Sequence, residues 1–206
     1  PGRLGVSLDW ARDRSVRVQD LSKLNSLYFM LYADLEYLAA QAFLREKMLP
    51  QFLDMSRTAL AALMTFEILL ATDTARCEDE TARSIIIPLM APRIKALQYA
   101  YGLFDQPQMQ FLTSTILTST SAMWGRAPNP EICASGRDSV IKALDQGATT
   151  YKGGNDAAAI AVLVPPKDFK ADPKFIPQDR WMDKSSEVYK NIGASWIQRY
   201  SDYIAL

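Results

Sequence analysis

An all-α fold is what this sequence predicts: one irregular bundle of about five to six helices, with a long Pro- and Gly-containing loop before the last of them. Three observations carry the prediction. Apolar residues recur at alternating spacings of three and four along several segments, the pattern of one helical face. Capping residues and prolines stand where those segments begin. Turn-forming residues concentrate in a single stretch, 147–177, which reads as mostly irregular. At 206 residues, of which 49% are hydrophobic and 22% charged, the chain has the composition and length for one substantial core, so one domain is expected. No repeat with a period of about 20 to 50 residues is visible, which argues against a solenoid.

Residues 1–19, rich in Arg and Asp with scattered Val and Trp10, read as an N-terminal arm, leaving 20–206 as the helical domain. From there Leu21, Leu24, Tyr28, Leu31, Leu35, Leu38 and Ala42 fall on one stripe of a long first helix, with Asp20 or Ser22 as its cap. Pro50 suits the first turn of a second helix, and Ala59 to Ala71 is apolar on nearly every face, as expected of a helix surrounded by others. Asp79 and Thr81 supply start signals for a third helix reaching about Gly102, in which Pro88 and Pro92 remove backbone bonds and impose a kink or break.

Asp105 and the Gln-Pro-Gln after it open a fourth helix through Trp124. Met109, Leu112, Ile116 and Met123 face inward there, while Thr113, Thr118, Ser119 and Ser121 are small enough for close helix contact. Asn129 and Pro130 begin a short fifth helix ending near Gln146, with Gly147 placed for a left-handed cap. The loop that follows contains Ala157 to Val164, a short apolar run that fits either a helical turn or a lone strand. The last segment, about Asp179 to Tyr203, carries Val188, Ile192, Trp196, Ile197 and Tyr200 at helical spacing and docks as a terminal helix, with Gly193 its weakest position.

The charge balance and the missing residue types exclude several functions. The 23 basic and 23 acidic residues cancel, so no global field gathers phosphates, and nucleic acid is not an expected partner. The longest uncharged stretch, Gln106 to Gly125, is crowded with Thr, Ser and Gln, and Thr58 to Thr72 is bounded or interrupted by Arg57, Glu67 and Asp73. Neither is expected to span a membrane. The sequence starts at Pro1 with no basic-then-apolar leader, consistent with a removed targeting segment or a trimmed start.

There is no histidine, which removes Ser-His-Asp and Cys-His nucleophile pairs, His general bases and His-containing zinc sites together. Two cysteines do not make a four-cysteine metal site, and Lys152-Gly153-Gly154-Asn155 lacks phosphate-loop spacing and reads as a turn. No metal and no cofactor is therefore expected. Carboxylate chemistry remains, and its one individually interesting candidate is Glu67, alone in an apolar helix. Burial without a partner would poise it as a general acid of a glycan hydrolase with a second carboxylate such as Asp34 or Glu36 nearby. The plainer expectation is that Glu67 reaches solvent or meets an Arg from another helix. The aromatic cluster Tyr28, Phe29, Tyr32, Tyr37 and Phe43 reads as core, and the mixed-sign run Lys167 to Lys190 as solvated surface.

Cys77 and Cys133 lie in polar, end-of-helix contexts and do not look like core cysteines. The preferred reading pairs them in one intramolecular disulfide that an oxidising compartment such as a periplasm would preserve. The alternative is a reactive Cys133 thiol, activated by the start of its helix but without a histidine base. Three functions follow. The first is a non-enzymatic binding or interaction protein of an exported compartment, periplasmic or secreted, with a protein or small-molecule partner. The second is a carboxylate-dependent glycan hydrolase using Glu67. The third is a cytosolic helical scaffold with free thiols.

Overall fold

The structure, a computed structural model, describes residues 2–19, 24–93, 99–121, 126–152, 161–164, 167–168 and 170–205. Its helices are α1 (Gly2–Arg14), α2 (Ser26–Arg45), α3 (Leu49–Ala75), α4 (Ile86–Met90), α5 (Gln106–Ser121), α6 (Pro130–Cys133), α7 (Arg137–Asp145) and α8 (Gln178–Ile204). Two 3₁₀ turns, Glu80–Ile85 and Ala91–Arg93, flank α4. Among the described residues the fold is all-α apart from one antiparallel pair of short strands.

The α2–α3 hairpin is the frame. Asn25 caps α2 by accepting from the backbone N–H of Leu27, replacing the expected caps Asp20 and Ser22, which lie outside the described residues. The buried face of α2 is Phe29, Tyr32, Ala33, Glu36, Ala39 and Ala40. It is not the expected leucine stripe, because Leu38 is exposed and Leu31 and Leu35 are only partly buried. Alanines at 33, 39 and 40 let neighbouring backbones approach, and the larger leucines are left at the flanks. A tight connection joins the two helices, with Lys47 in the left-handed region at φ 59°.

Pro50 does stand in the first turn of α3, and Leu60, Leu63, Met64, Phe66, Ile68, Leu69 and Leu70 are all buried. Among the described residues α3 is the one helix long and apolar enough to cross a membrane, yet its apolar stretch is mostly buried inside the protein. It is the central helix of the bundle, as the sequence predicts.

The segment expected to be an arm, 1–19, contains a helix instead. Ala11 and Ser15 are buried, and Arg12 reaches across to donate to the hydroxyl of Tyr32 and to Glu36 Oε1 at 3.1 Å. That charge-assisted contact explains why a polar segment is ordered here. Glu36 is fully buried, and its Oε2 has no partner among the described residues. Burial and the hydrogen bond with Glu36 push the Tyr32 phenol up, against the pull of Arg12.

The proline-bearing third helix is broken, as expected: Asp79 caps a 3₁₀ turn, α4 contains Pro88, and Pro92 sits in the second 3₁₀ turn. The fifth helix divides into α6 and α7, and Gly147 adopts the left-handed cap at φ 90°. In the stretch 147–177, Thr149–Lys152 pairs antiparallel with Ala161–Val164, so the apolar run expected there contributes a paired strand, while 153–160 lies outside the described residues. The same stretch then stitches itself to the end of α3: Ile176 N–H donates to the Arg76 carbonyl and Glu78 N–H to the Lys174 carbonyl. Part of the run read as solvated surface is therefore bound to the bundle.

Helix α8 packs on α3 and α5. A Cβ at Gly193 would meet Leu117 Cδ1 at 2.8 Å, so the glycine that weakens the helical pattern is what admits Leu117. Tyr189, Trp196 and Tyr200 are buried beside it.

Candidate functional site

Three features could support function: a buried charged knot, the cysteine bridge beside it, and a small cavity. The knot forms where the start of α2, the end of α3 and residues 126–129 converge. Asp73 is 1% exposed and its carboxylate accepts from Ser26 Oγ at 2.8 Å, from Arg126 Nη2 at 2.7 Å and from the Asn129 backbone N–H at 3.2 Å. Arg76 lies alongside and donates to the carbonyl of Arg126. Among the described residues Asp73 pairs with Arg126 alone, and the buried Arg76 guanidinium lies near enough to feel both charges. Burial, followed by repulsion from Arg126, lowers the Arg76 pKa against the pull of Asp73. Asn129 caps α6 through Glu131 N–H and donates its side-chain amide to Asn25 Oδ1 at 2.7 Å, joining the starts of two helices.

The sulfurs of Cys77 and Cys133 are 2.02 Å apart with Cα atoms 5.2 Å apart, a disulfide. The expectation of surface cysteines does not hold: they are 2% and 3% exposed, with Ala82 and Phe175 packed against them. The covering segment around Phe175, bridged to Cys77, follows both cysteines far down the chain, which their local polar contexts do not reveal. No free cysteine remains, so the reactive Cys133 thiol is not present in this state. Asp79 ties the neighbouring turn down by accepting from Thr81 and from the backbone N–H of Asp138, and these bonds hold its carboxyl below the usual range.

The cavity lies between α2 and α3, under the second 3₁₀ turn, with a volume of about 100 Å³. Ala33, Ser56, Ala59, Leu60 and Leu63 form its buried floor. At the mouth Arg93 forms a salt bridge with Asp34, Nε to Oδ1 at 2.8 Å, and also donates to the Leu89 carbonyl. Tyr37 and Tyr99 complete the mouth. Ser56 Oγ is buried and has no hydrogen-bond partner among the described residues. Two wider hollows are open to solvent. One, beside the disulfide, is lined by Glu78, Asp79, Asp138 and Asp172 with Lys142 and Lys174. The other, between α3 and α8, is lined by Arg83 and Trp181. Among the described residues no group of three or more metal-ligating side chains stands together.

Glu67 does not stand alone. Arg199 Nη2 contacts both of its oxygens at 2.9 Å and Trp196 Nε1 donates at 2.8 Å. The plainer expectation, an Arg from another helix, describes this arrangement. Both oxygens accept from the same guanidinium, the geometry of a charge-assisted ion pair. The two carboxylates considered as companions serve other partners, Asp34 with Arg93 and Glu36 with Arg12. Glu67→Gln should keep the acceptor for Trp196 while losing the charge, lowering stability by about 1–2 kcal/mol. Urea unfolding checks this, and a change below about 0.5 kcal/mol would assign the pair no net stabilisation.

In the sequence Asp73 stands out only as a charge bounding an apolar run, and Arg76, Arg126, Ser56 and Arg93 do not stand out at all. Asp73 and Arg126 are 53 residues apart, and nothing in either neighbourhood marks them as partners. Arg126-Ala-Pro-Asn-Pro does offer one signal: an arginine beside a rigid turn and a helix cap is held where it falls. No protein-family model, no curated protein and no solved structure matches this chain.

Proposed function

We propose that this chain is a non-enzymatic binding protein of an exported, oxidising compartment, with a small molecule as its ligand. The observation that carries the binding reading is the cavity between α2 and α3, whose buried floor includes a hydroxyl with no partner among the described residues. Concave, largely apolar sites with a few placed polar groups are where small molecules bind. The compartment reading is supported by the cysteine pair, since disulfides persist in oxidising compartments and are rare where thiols are kept reduced.

Two measurements test the reading. In the first, toluene or phenol is titrated into the folded protein and the methyl resonances of Leu60 and Leu63 are followed. Saturable shifts confined to the cavity are expected, and their absence with both toluene and phenol at millimolar concentration overturns the binding reading. In the second, cells making the protein are quenched with an alkylating agent before lysis. Unmodified cysteines are expected, whereas two alkylated cysteines would favour the cytosolic scaffold instead.

A further inference from the structure

Resting on that binding reading, we propose that the cavity beneath the Asp34–Arg93 pair takes a neutral, phenol-sized molecule carrying one hydroxyl, and that Ser56 Oγ recognises the hydroxyl. Size comes first. At about 100 Å³ the space is smaller than the roughly 150 Å³ engineered cavity that holds benzene, so six or seven heavy atoms is about the upper limit, and a ligand of that size fits only with part of it in the mouth.

Charge comes next. The methyl and isobutyl groups of Ala33, Ala59, Leu60 and Leu63 surround the floor, and a charged group brought there would lose its hydration without a counterion. Asp34 and Arg93 neutralise each other at the mouth. The occupant is therefore neutral.

The hydroxyl follows from Ser56. Other hydroxyls on α3 are committed to their own helix: Thr58, Thr65 and Thr72 each donate to the carbonyl four residues back, at 3.1, 2.9 and 2.7 Å. Ser56, 3% exposed, makes no such bond and lines the cavity. A buried water needs two to four polar partners to be well held, and on this floor Ser56 is the sole polar side chain among the described residues. A water there is poorly held, and its replacement by a ligand with an apolar body and one matching hydroxyl is favourable.

The test compares phenol with toluene, nearly equal in size, on the wild-type protein and on Ser56→Ala. Dissociation constants come from the Leu60 and Leu63 methyl shifts. The ratio of toluene to phenol dissociation constants should fall about three- to tenfold in Ser56→Ala, the loss of one hydrogen bond. Ala59→Leu, which fills the space, should weaken both ligands by at least about tenfold. An unchanged ratio in Ser56→Ala overturns the proposal, as does wild-type protein that binds toluene but not phenol. In both cases the broader binding reading survives. Failure of both ligands on the wild type overturns that reading as well.

Discussion

Asp73→Ala should be the most damaging single substitution in the bundle, lowering stability by about 3 to 5 kcal/mol, the range for removing one partner of a buried ion pair. Among the described residues the carboxylate is the only acidic member of a knot in which Arg76 and Arg126 are both nearly inaccessible. Without it Arg126 keeps a buried charge with no counterion, and Ser26 Oγ and the Asn129 N–H lose their acceptor. The loss exceeds what a surface ion pair contributes because water does not reach in to replace the carboxylate. The double variant Asp73→Ala, Arg126→Met should recover part of the loss, since removing both charges relieves the uncompensated one. Urea denaturation measures both. A loss below about 1 kcal/mol, or no recovery in the double variant, would show that the knot relaxes to admit water.

Replacing both Cys77 and Cys133 by Ser should cost about 4 kcal/mol in the chain-entropy picture, because the bridge joins residues 56 apart in sequence. That is a large part of a typical net stability of about 5 to 15 kcal/mol. The loss should be uneven. The bridge links the segment after α3 to α6, and the same place is held by the Lys174–Ile176 backbone pairing and by the Asp79 cap. Hydrogen exchange should therefore accelerate first in 126–145 and 172–177, while the α2–α3 hairpin keeps its protection. Equal acceleration throughout, or a cost below about 1 kcal/mol, would count against the bridge as a local brace.

The helices were legible in the sequence because their signals are local. Pro50 before an all-round apolar run, Asn129-Pro130, and Gly147 after Gln146 each act within a turn of where they stand. The pairing of Cys77 with Cys133 was legible by elimination, there being no third cysteine and no histidine. What the sequence concealed depends on neighbours far away in the chain. Which face of α2 is buried is decided by α1 and α3, so the leucine stripe misled and the alanines counted. The N-terminal helix is ordered by Glu36 and Tyr32, which its own composition does not announce. The cavity is a product of small residues meeting across two helices, Ala33 on one and Ser56 and Ala59 on the other. No single segment contains that information.

Helix α8 supplies Trp196 and Arg199 to a carboxylate 129 and 132 residues upstream. On the ribosome that separation becomes a waiting time. At roughly 5 to 20 residues per second, Glu67 and the leucines around it emerge roughly 7 to 26 s before the arginine that will hold them. Throughout that interval the nascent α2–α3 hairpin lacks the helix that will cover the Glu67 flank of α3. Completion of the bundle is then set by elongation rather than by the intrinsic speed of helix docking, and the hairpin is the species a holding chaperone would meet.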